Sequence, residues 1–186
     1  NVVNKLNGIF AFAIYDEDKK QVFLARDPMG VKPLFYSKKG SKLIFGSEIK
    51  TILAHPEVRA EIDRDGLTEL FALGPAVAPG SAVYKGINEI APANCMLLTK
   101  DSMKIWEYWK VEAKELNETT DESVSHVREL LIDAIKRQLV GDVPVCTFLS
   151  GGLDSSAISA IAAADFKEKG KRLTTYSIDY EGNDKY

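Results

Sequence analysis

One short stretch constrains this chain more than any other. Phe148-Leu149-Ser150-Gly151-Gly152-Leu153-Asp154-Ser155-Ser156 joins two segments of opposite character. Before it, Val143 to Leu149 is short, apolar and β-branched, the pattern of a buried parallel strand. After it, Leu153, Ala157, Ile158, Ile161, Ala162 and Ala164 recur at helical spacing. The stretch is therefore a turn from a strand into a helix. Two adjacent glycines allow a ligand to approach the backbone closely. Ser150, Ser155 and Ser156 add hydroxyl donors, and the helix start contributes free amides and the positive end of its dipole. Those parts make an anion cradle, and phosphate is the usual anion.

The cradle is not a Walker loop, which needs a lysine that this stretch lacks. Ser-Gly-Gly-x-Asp-Ser resembles instead the pyrophosphate loop of ATP pyrophosphatases, which cleave ATP to AMP and pyrophosphate. Asp154 would repel phosphate oxygens unless a cation bridged them, so Mg²⁺ is expected with it. The plainer alternative is a glycine turn whose Asp154 and serines merely cap a helix.

The two halves of the chain differ. Up to about residue 117 the pattern is short strands and tight turns. Strands are expected over 9–15, 22–26, 34–37 and 42–46, with hairpin-length connections that imply antiparallel pairing. Asp27-Pro28-Met29-Gly30 has the residues of a β-turn. Ser47 is expected to cap a short helix through Leu53, with Glu48 in its first turn. A second helix is expected over 63–73, with Leu67, Leu70, Phe71 and Ala72 inward and Gly74 as its stop. A loop rich in proline and glycine over 75–80 precedes two further strands, 94–99 and 103–109.

From Lys114 to Glu122 the chain is polar and acidic, which suits a linker, and Thr119 and Glu122 have capping-box spacing. Val124, Val127, Leu130, Leu131, Ala134 and Ile135 then predict a strong helix. Strand, cradle and helix follow, and a last strand is expected over 173–179. This alternation predicts a parallel α/β unit with right-handed crossovers. The fold class expected is thus α+β followed by α/β, with domains over 1–117 and 118–186.

Composition excludes several functions. With 24 basic and 27 acidic residues, the net charge of −3 gives no footprint for nucleic acid. No apolar run approaches the roughly 20 residues of a membrane span. Cys95 and Cys146 both fall in expected apolar strands and read as buried thiols of a reducing, cytoplasmic setting. The chain begins at Asn1 rather than methionine and runs almost at once into a strand, which suggests an internal piece of something longer.

By residue type alone the first half holds no convincing catalytic set. Leu6 to Phe12, Arg26 to Tyr36 and Ser47 to Lys50, together with the cradle, nevertheless resemble the glutamine-hydrolysing asparagine synthetase family in order and spacing. That resemblance implies an Ntn-type αββα class II glutaminase part joined to an ATP-pyrophosphatase part. It implies glutamine hydrolysis by an amino-terminal cysteine and passage of ammonia through an apolar tunnel. ATP would activate aspartate as β-aspartyl-AMP with release of pyrophosphate, and ammonia would then displace AMP. The small-molecule substrates implied are aspartate, glutamine and ATP; a homodimer is left open.

Residue by residue, the resemblance assigns Ser150, Gly151, Gly152, Asp154, Ser155 and Ser156 to the pyrophosphate of ATP, with Asp154 also a Mg²⁺ ligand. Phe148 and Leu149 would flank the nucleotide, and the backbone of Ile178 would read adenine, although its side chain alone reads as core. Asn7 stands where the family has an aspartate that binds the α-ammonium of glutamine; it can accept a hydrogen bond but lacks the charge. No catalytic residue is assigned within the chain, because the cysteine belongs to an earlier segment, and this piece alone is expected to have no glutaminase activity. Arg26 and Asp27 read as pins of a turn, Met29 as core filler and His126 as a solvated residue. Two other functions fit the same motifs: a β-lactam synthetase-like enzyme that closes an amide within one substrate, and a module that binds ATP without turnover.

Overall fold

The computed structural model describes residues 2–74 and 78–179. The chain divides into two compact units, residues 1–113 and 114–186.

In the first unit, a 3-10 turn at Val3–Lys5 leads into two antiparallel sheets. One contains β1 (Ala11–Asp16), β2 (Gln21–Arg26), β6 (Asn94–Leu98) and β7 (Met103–Glu107), in the order β1-β2-β6-β7. The other contains β3 (Phe35–Lys39), β4 (Lys42–Gly46) and β5 (Asn88–Glu89), in the order β4-β3-β5. The hairpin pairings expected from loop length are present, with Ala11 opposite Arg26 and Phe35 opposite Gly46.

Alternation along the strands explains where the core lies. On β2, Val22 and Leu24 face a cluster with Leu34, Tyr36, Ile90 and Met96 that draws on both sheets. Phe23 and Ala25 face the other way, into a cluster with Val3, Cys95 and the aromatic residues Phe10, Phe12, Trp106 and Tyr108. A third cluster, around Ile52, Val58, Ala82 and Ile87, packs α1 (Ile49–Leu53) against β3 and β4.

Two helices depart from expectation. Glu48, not Ser47, is the N-cap of α1, and its side chain makes no capping bond. Glu48 pairs with Lys50 at 2.8 Å instead. α2 (Arg64–Leu73) starts with the Asp63 carboxylate accepting from the Gly66 amide at 3.0 Å and ends at Gly74. Its expected inner residues are exposed, Phe71 by 81%. The helix approaches its neighbours through Gly66, whose missing side chain leaves room for the Val83 carbonyl, so the bulky residues roll outward. Part of the expected loop, residues 75–77, lies outside the described residues.

The second unit runs α3 (Thr120–Gln138), β8 (Cys146–Phe148), α4 (Leu153–Glu168) and β9 (Thr174–Tyr176). The capping box at Thr119 and Glu122 is formed in both directions. β8 and β9 pair in parallel, Thr147 opposite Thr175, with α4 as the crossover between them. The stripe expected to be buried on α3 is mostly exposed: Val124, Val127, Leu130 and Leu131 face outward and only Ile135 of that set is buried. Likewise β8 is not a buried strand in this chain, since Cys146 is exposed. Periodicity marks an apolar face but not what lies against it, and here α3 packs on α4 through a narrower line.

Candidate functional site

The expected strand–loop–helix forms, with β8 leading through Ser150, Gly151 and Gly152 into α4. The residues of the cradle converge at the C-terminal edge of the β8–β9 pair, where α4 begins. Gly151 has φ +85°, a conformation that disfavours any side chain. Gly152 is the N-cap of α4 at φ −76°, a value open to every residue, and no side chain caps the helix there. The first amides of α4 have no acceptor within the helix and face solvent or a ligand.

The serines are already engaged. The Ser150 and Ser155 hydroxyls lie 3.0 Å apart, the Ser150 amide donates to Ser155 Oγ at 3.3 Å, and Ser155 Oγ donates to the Gly152 carbonyl at 3.1 Å. The loop is thus braced across its own mouth. Asp154 and Ser156 stand in the first turn of α4 and are exposed, with Ser150, Gly151 and Gly152.

Two side-chain contacts that no local sequence pattern announces hold this strand–loop–helix together. Thr147 on β8 and Ser159 on α4 share a hydroxyl–hydroxyl bond of 2.9 Å at the buried face of the helix. Ser177 Oγ donates to the Leu149 carbonyl at 2.7 Å, and the Leu149 amide donates to the Tyr176 carbonyl at 2.8 Å. Only the strand ends hinted at them, because both involve residues distant in sequence. Deeper in α4, buried Asp165 pairs with Lys169 at 2.6 Å.

The flanking residues are mixed. Phe148 is exposed by 75% and Leu149 is half-buried, so Phe148 offers a free apolar surface beside the loop. Ile178 is 79% exposed, which overturns the expectation of core from its side chain. Asn7 is exposed between the 3-10 turn and β1. Met29 is exposed rather than core filler. His126 is exposed, with Nδ1 3.3 Å from the Glu118 carboxylate.

In the first unit the pair Arg26–Asp27 pins its turn as expected, and far more thoroughly than a turn requires. Arg26 is 5% exposed and Asp27 1%. The guanidinium donates to the carbonyls of Lys32, Ile90 and Gly30 at 2.7, 2.7 and 2.8 Å. Asp27 accepts from the amides of Met29, Val31 and Lys32 at 3.0–3.1 Å. Burial alone would push the Asp27 carboxyl up, but these amides together hold it below its ordinary value. Tyr108 donates to the Arg26 carbonyl at 2.7 Å. Cys95 beneath them is buried, and burial pushes its thiol up to about 11, which leaves it unsuited to nucleophilic work. Among the described residues no group of three His, Cys, Asp or Glu side chains could hold a metal ion.

Comparison with known proteins fits this division. Residues 1–109 match the glutamine amidotransferase domain family, and the chain belongs to that family. Residues 126–186 match the asparagine synthase family. Among individual relatives, the chain is 59% identical over 185 residues to asparagine synthetase (glutamine-hydrolyzing) 3 of Bacillus subtilis, covering 99% of this chain and 30% of that protein. It is 34% identical over 173 residues to asparagine synthetase (glutamine-hydrolyzing) 2 of the same organism, covering 87% of this chain and 23% of that protein. The chain therefore spans under a third of the length of these relatives. A solved structure of glutamine phosphoribosylpyrophosphate amidotransferase from B. subtilis aligns with 98% of this chain and 35% of its own, at 16% identity and a TM-score of 0.36. A likeness that weak carries no argument. Among the described residues, no helix is long and apolar enough to cross a membrane.

Proposed function

We propose that this chain is part of a glutamine-dependent asparagine synthetase, with residues 1–117 belonging to an Ntn-type glutaminase domain and residues 118–186 to an ATP-pyrophosphatase domain. The observation that carries the reading is the open loop at Gly151 and Gly152 before the uncapped start of α4. Nothing lies within 4 Å of the place a Gly151 Cβ would occupy, and a Gly152 Cβ would meet only Ser150 Oγ, at 3.7 Å. Since Gly152 has an ordinary backbone, its lack of a side chain serves the space outside the loop rather than the turn itself. A phosphate chain is the group that such a space, lined by amides and hydroxyls, accepts best.

The residues fit Mg²⁺ in a particular way. Asp154 is a single exposed carboxylate, not a cage, and Mg²⁺ commonly binds through one or two carboxylates plus substrate phosphates. When bound there, the ion would neutralise charge on the phosphates that leave as pyrophosphate. The chain's own contributions are distinct. Ser150, Ser155 and Ser156 donate to phosphate oxygens, and the first amides of α4 orient them. Phe148 and Leu149 flank the nucleotide, and the backbone at Ile178 meets its base. The chemistry follows from substrate reactivity: a carboxylate is a poor electrophile, and attachment of AMP to the aspartate side chain makes it a good one. Ammonia from glutamine then displaces AMP. Asn7 is proposed as a lesser contact for glutamine in the first domain.

The test uses the full-length protein. Pyrophosphate release from Mg-ATP is expected only with aspartate present, and Asp154→Asn is expected to reduce it at least 100-fold, on the order of what loss of an electrostatic transition-state partner costs. Circular dichroism and thermal melting should be unchanged in the variant, because Asp154 is exposed. Full activity in Asp154→Asn would remove the metal role, and release without any acceptor would remove the synthetase reading.

A further inference from the structure

The ladder between β8 and β9 ends with Phe148 opposite Tyr176. One residue further on each side, the backbone would be free to diverge, yet it does not. Leu149 is tied at both of its main-chain polar groups: its amide donates to the Tyr176 carbonyl at 2.8 Å and its carbonyl accepts from Ser177 Oγ at 2.7 Å. The second tie spans 28 residues of sequence and is made by a side chain, not by the sheet. Leu149 is followed directly by Ser150, where the phosphate cradle starts. Ser177 is followed directly by Ile178, the position proposed for the base. Ser177 therefore joins the two parts of the proposed nucleotide site at the point where they leave the sheet.

We infer that Ser177 is a positioning residue that sets the spacing between the phosphate-binding loop and the base-binding segment. The inference rests on the nucleotide reading given above. A ligand that spans two subsites binds tightly when the subsites are held at its own separation, because the second contact is then intramolecular. It loses that advantage when they drift independently, even if each subsite stays intact. Ser177 and Leu149 lie near the solvent edge, Ser177 exposed and Leu149 half-buried. Water can thus satisfy the Leu149 carbonyl when the hydroxyl is removed, and the β8–β9 ladder below is not altered. The predicted signature is selective: ATP, which reaches both subsites, weakens, while adenosine and pyrophosphate, which each occupy one, do not.

The experiment is calorimetric binding to the full-length protein with Mg²⁺, using a non-hydrolysable ATP analogue, adenosine and pyrophosphate as three separate probes. Ser177→Ala is expected to weaken the analogue by about 3- to 10-fold, the range for one hydrogen bond. Adenosine and pyrophosphate should change by less than about twofold. Ser177→Thr keeps a hydroxyl and should return the analogue to within about twofold of the parent. Equal weakening of all three probes would overturn the inference in favour of general loosening of the fold. Unchanged analogue binding in Ser177→Ala, or a threonine variant as weak as the alanine one, would overturn it too. If the unsubstituted protein takes up no analogue, the nucleotide reading itself falls, an outcome distinguishable from failure of the Ser177 role alone.

Discussion

Arg26 Nη1 lies 2.8 Å from the Glu89 carboxylate, with both side chains nearly buried, although the two residues are 63 positions apart. Arg26 ends β2 in one sheet and Glu89 ends β5 in the other. The pair thus sits between the sheets of the first unit, at the same point where the guanidinium gathers the carbonyls of Lys32, Ile90 and Gly30. A buried charge needs both a counter-charge and filled donors, and here it has both.

Removing Glu89 would leave the guanidinium without its counter-charge. Glu89→Ala is expected to lower stability by about 3 kcal/mol, the low end for breaking one side of a buried pair, because three carbonyls remain. Glu89→Gln should cost less than Glu89→Ala. Urea unfolding followed by tryptophan fluorescence, through Trp106 in the same unit, measures both.

Asp27 gives a pH dependence with a definite sign. Its carboxyl is held below the ordinary aspartate value, so the folded state favours the charged form. That contribution is fully present above pH about 3.8 and is lost as pH falls through the lower folded value. Asp27→Asn should destabilise the protein at neutral pH, since an amide NH₂ would face a backbone donor among Met29, Val31 and Lys32. Its deficit relative to the parent should shrink below pH 4 in denaturant titrations run from about pH 3 to 7.

The adjacent glycines should separate stability from binding. Gly151→Ala forces a side chain into φ +85° and is expected to cost about 1–2 kcal/mol of folding stability. Gly152→Ala has no such strain and should change stability by less than about 0.5 kcal/mol. Under the proposed function it should nevertheless weaken Mg-ATP strongly. Thermal melts and calorimetry on the two variants check the contrast.

Gly66 tests close approach rather than dihedral freedom. An alanine Cβ there would sit 1.9 Å from the Val83 carbonyl oxygen, a backbone atom that cannot swing aside. Helix propensity would favour alanine by about 1 kcal/mol, but the clash should win. Gly66→Ala is expected to lower stability by at least about 2 kcal/mol, on the scale of overpacking a core. A neutral or stabilised variant, seen in a denaturant melt, would show that α2 can slide.

Much of this is legible in the sequence, for reasons that differ by element. The hairpins of the first half were visible because turn residues fix loop length, and loop length fixes pairing. The strand–loop–helix around Ser150 to Ser156 is legible because adjacent glycines between a β-branched run and a helical repeat mark a turn. The apolar stripes of α2 and α3 were visible as stripes, but their burial was not: Phe71 and Leu130 are exposed because periodicity describes one surface and burial needs two. Cys146 failed for the same reason. Glu89, Ser159 and Ser177 were invisible because their partners are set by how strands and helices dock, which no local pattern encodes.

The mutual bond between Ser150 and Ser155 bears on what the loop can discriminate. Under the proposed function, an incoming phosphate would not meet idle hydroxyls; it would replace contacts that the loop already makes with itself. For an oxygen of low charge density the exchange is close to even, and chloride or a simple alcohol would gain almost nothing from it. Only a densely charged oxyanion shifts the balance decisively. Under the proposed function, a turn latched in this manner would favour a phosphate chain over weakly charged ligands.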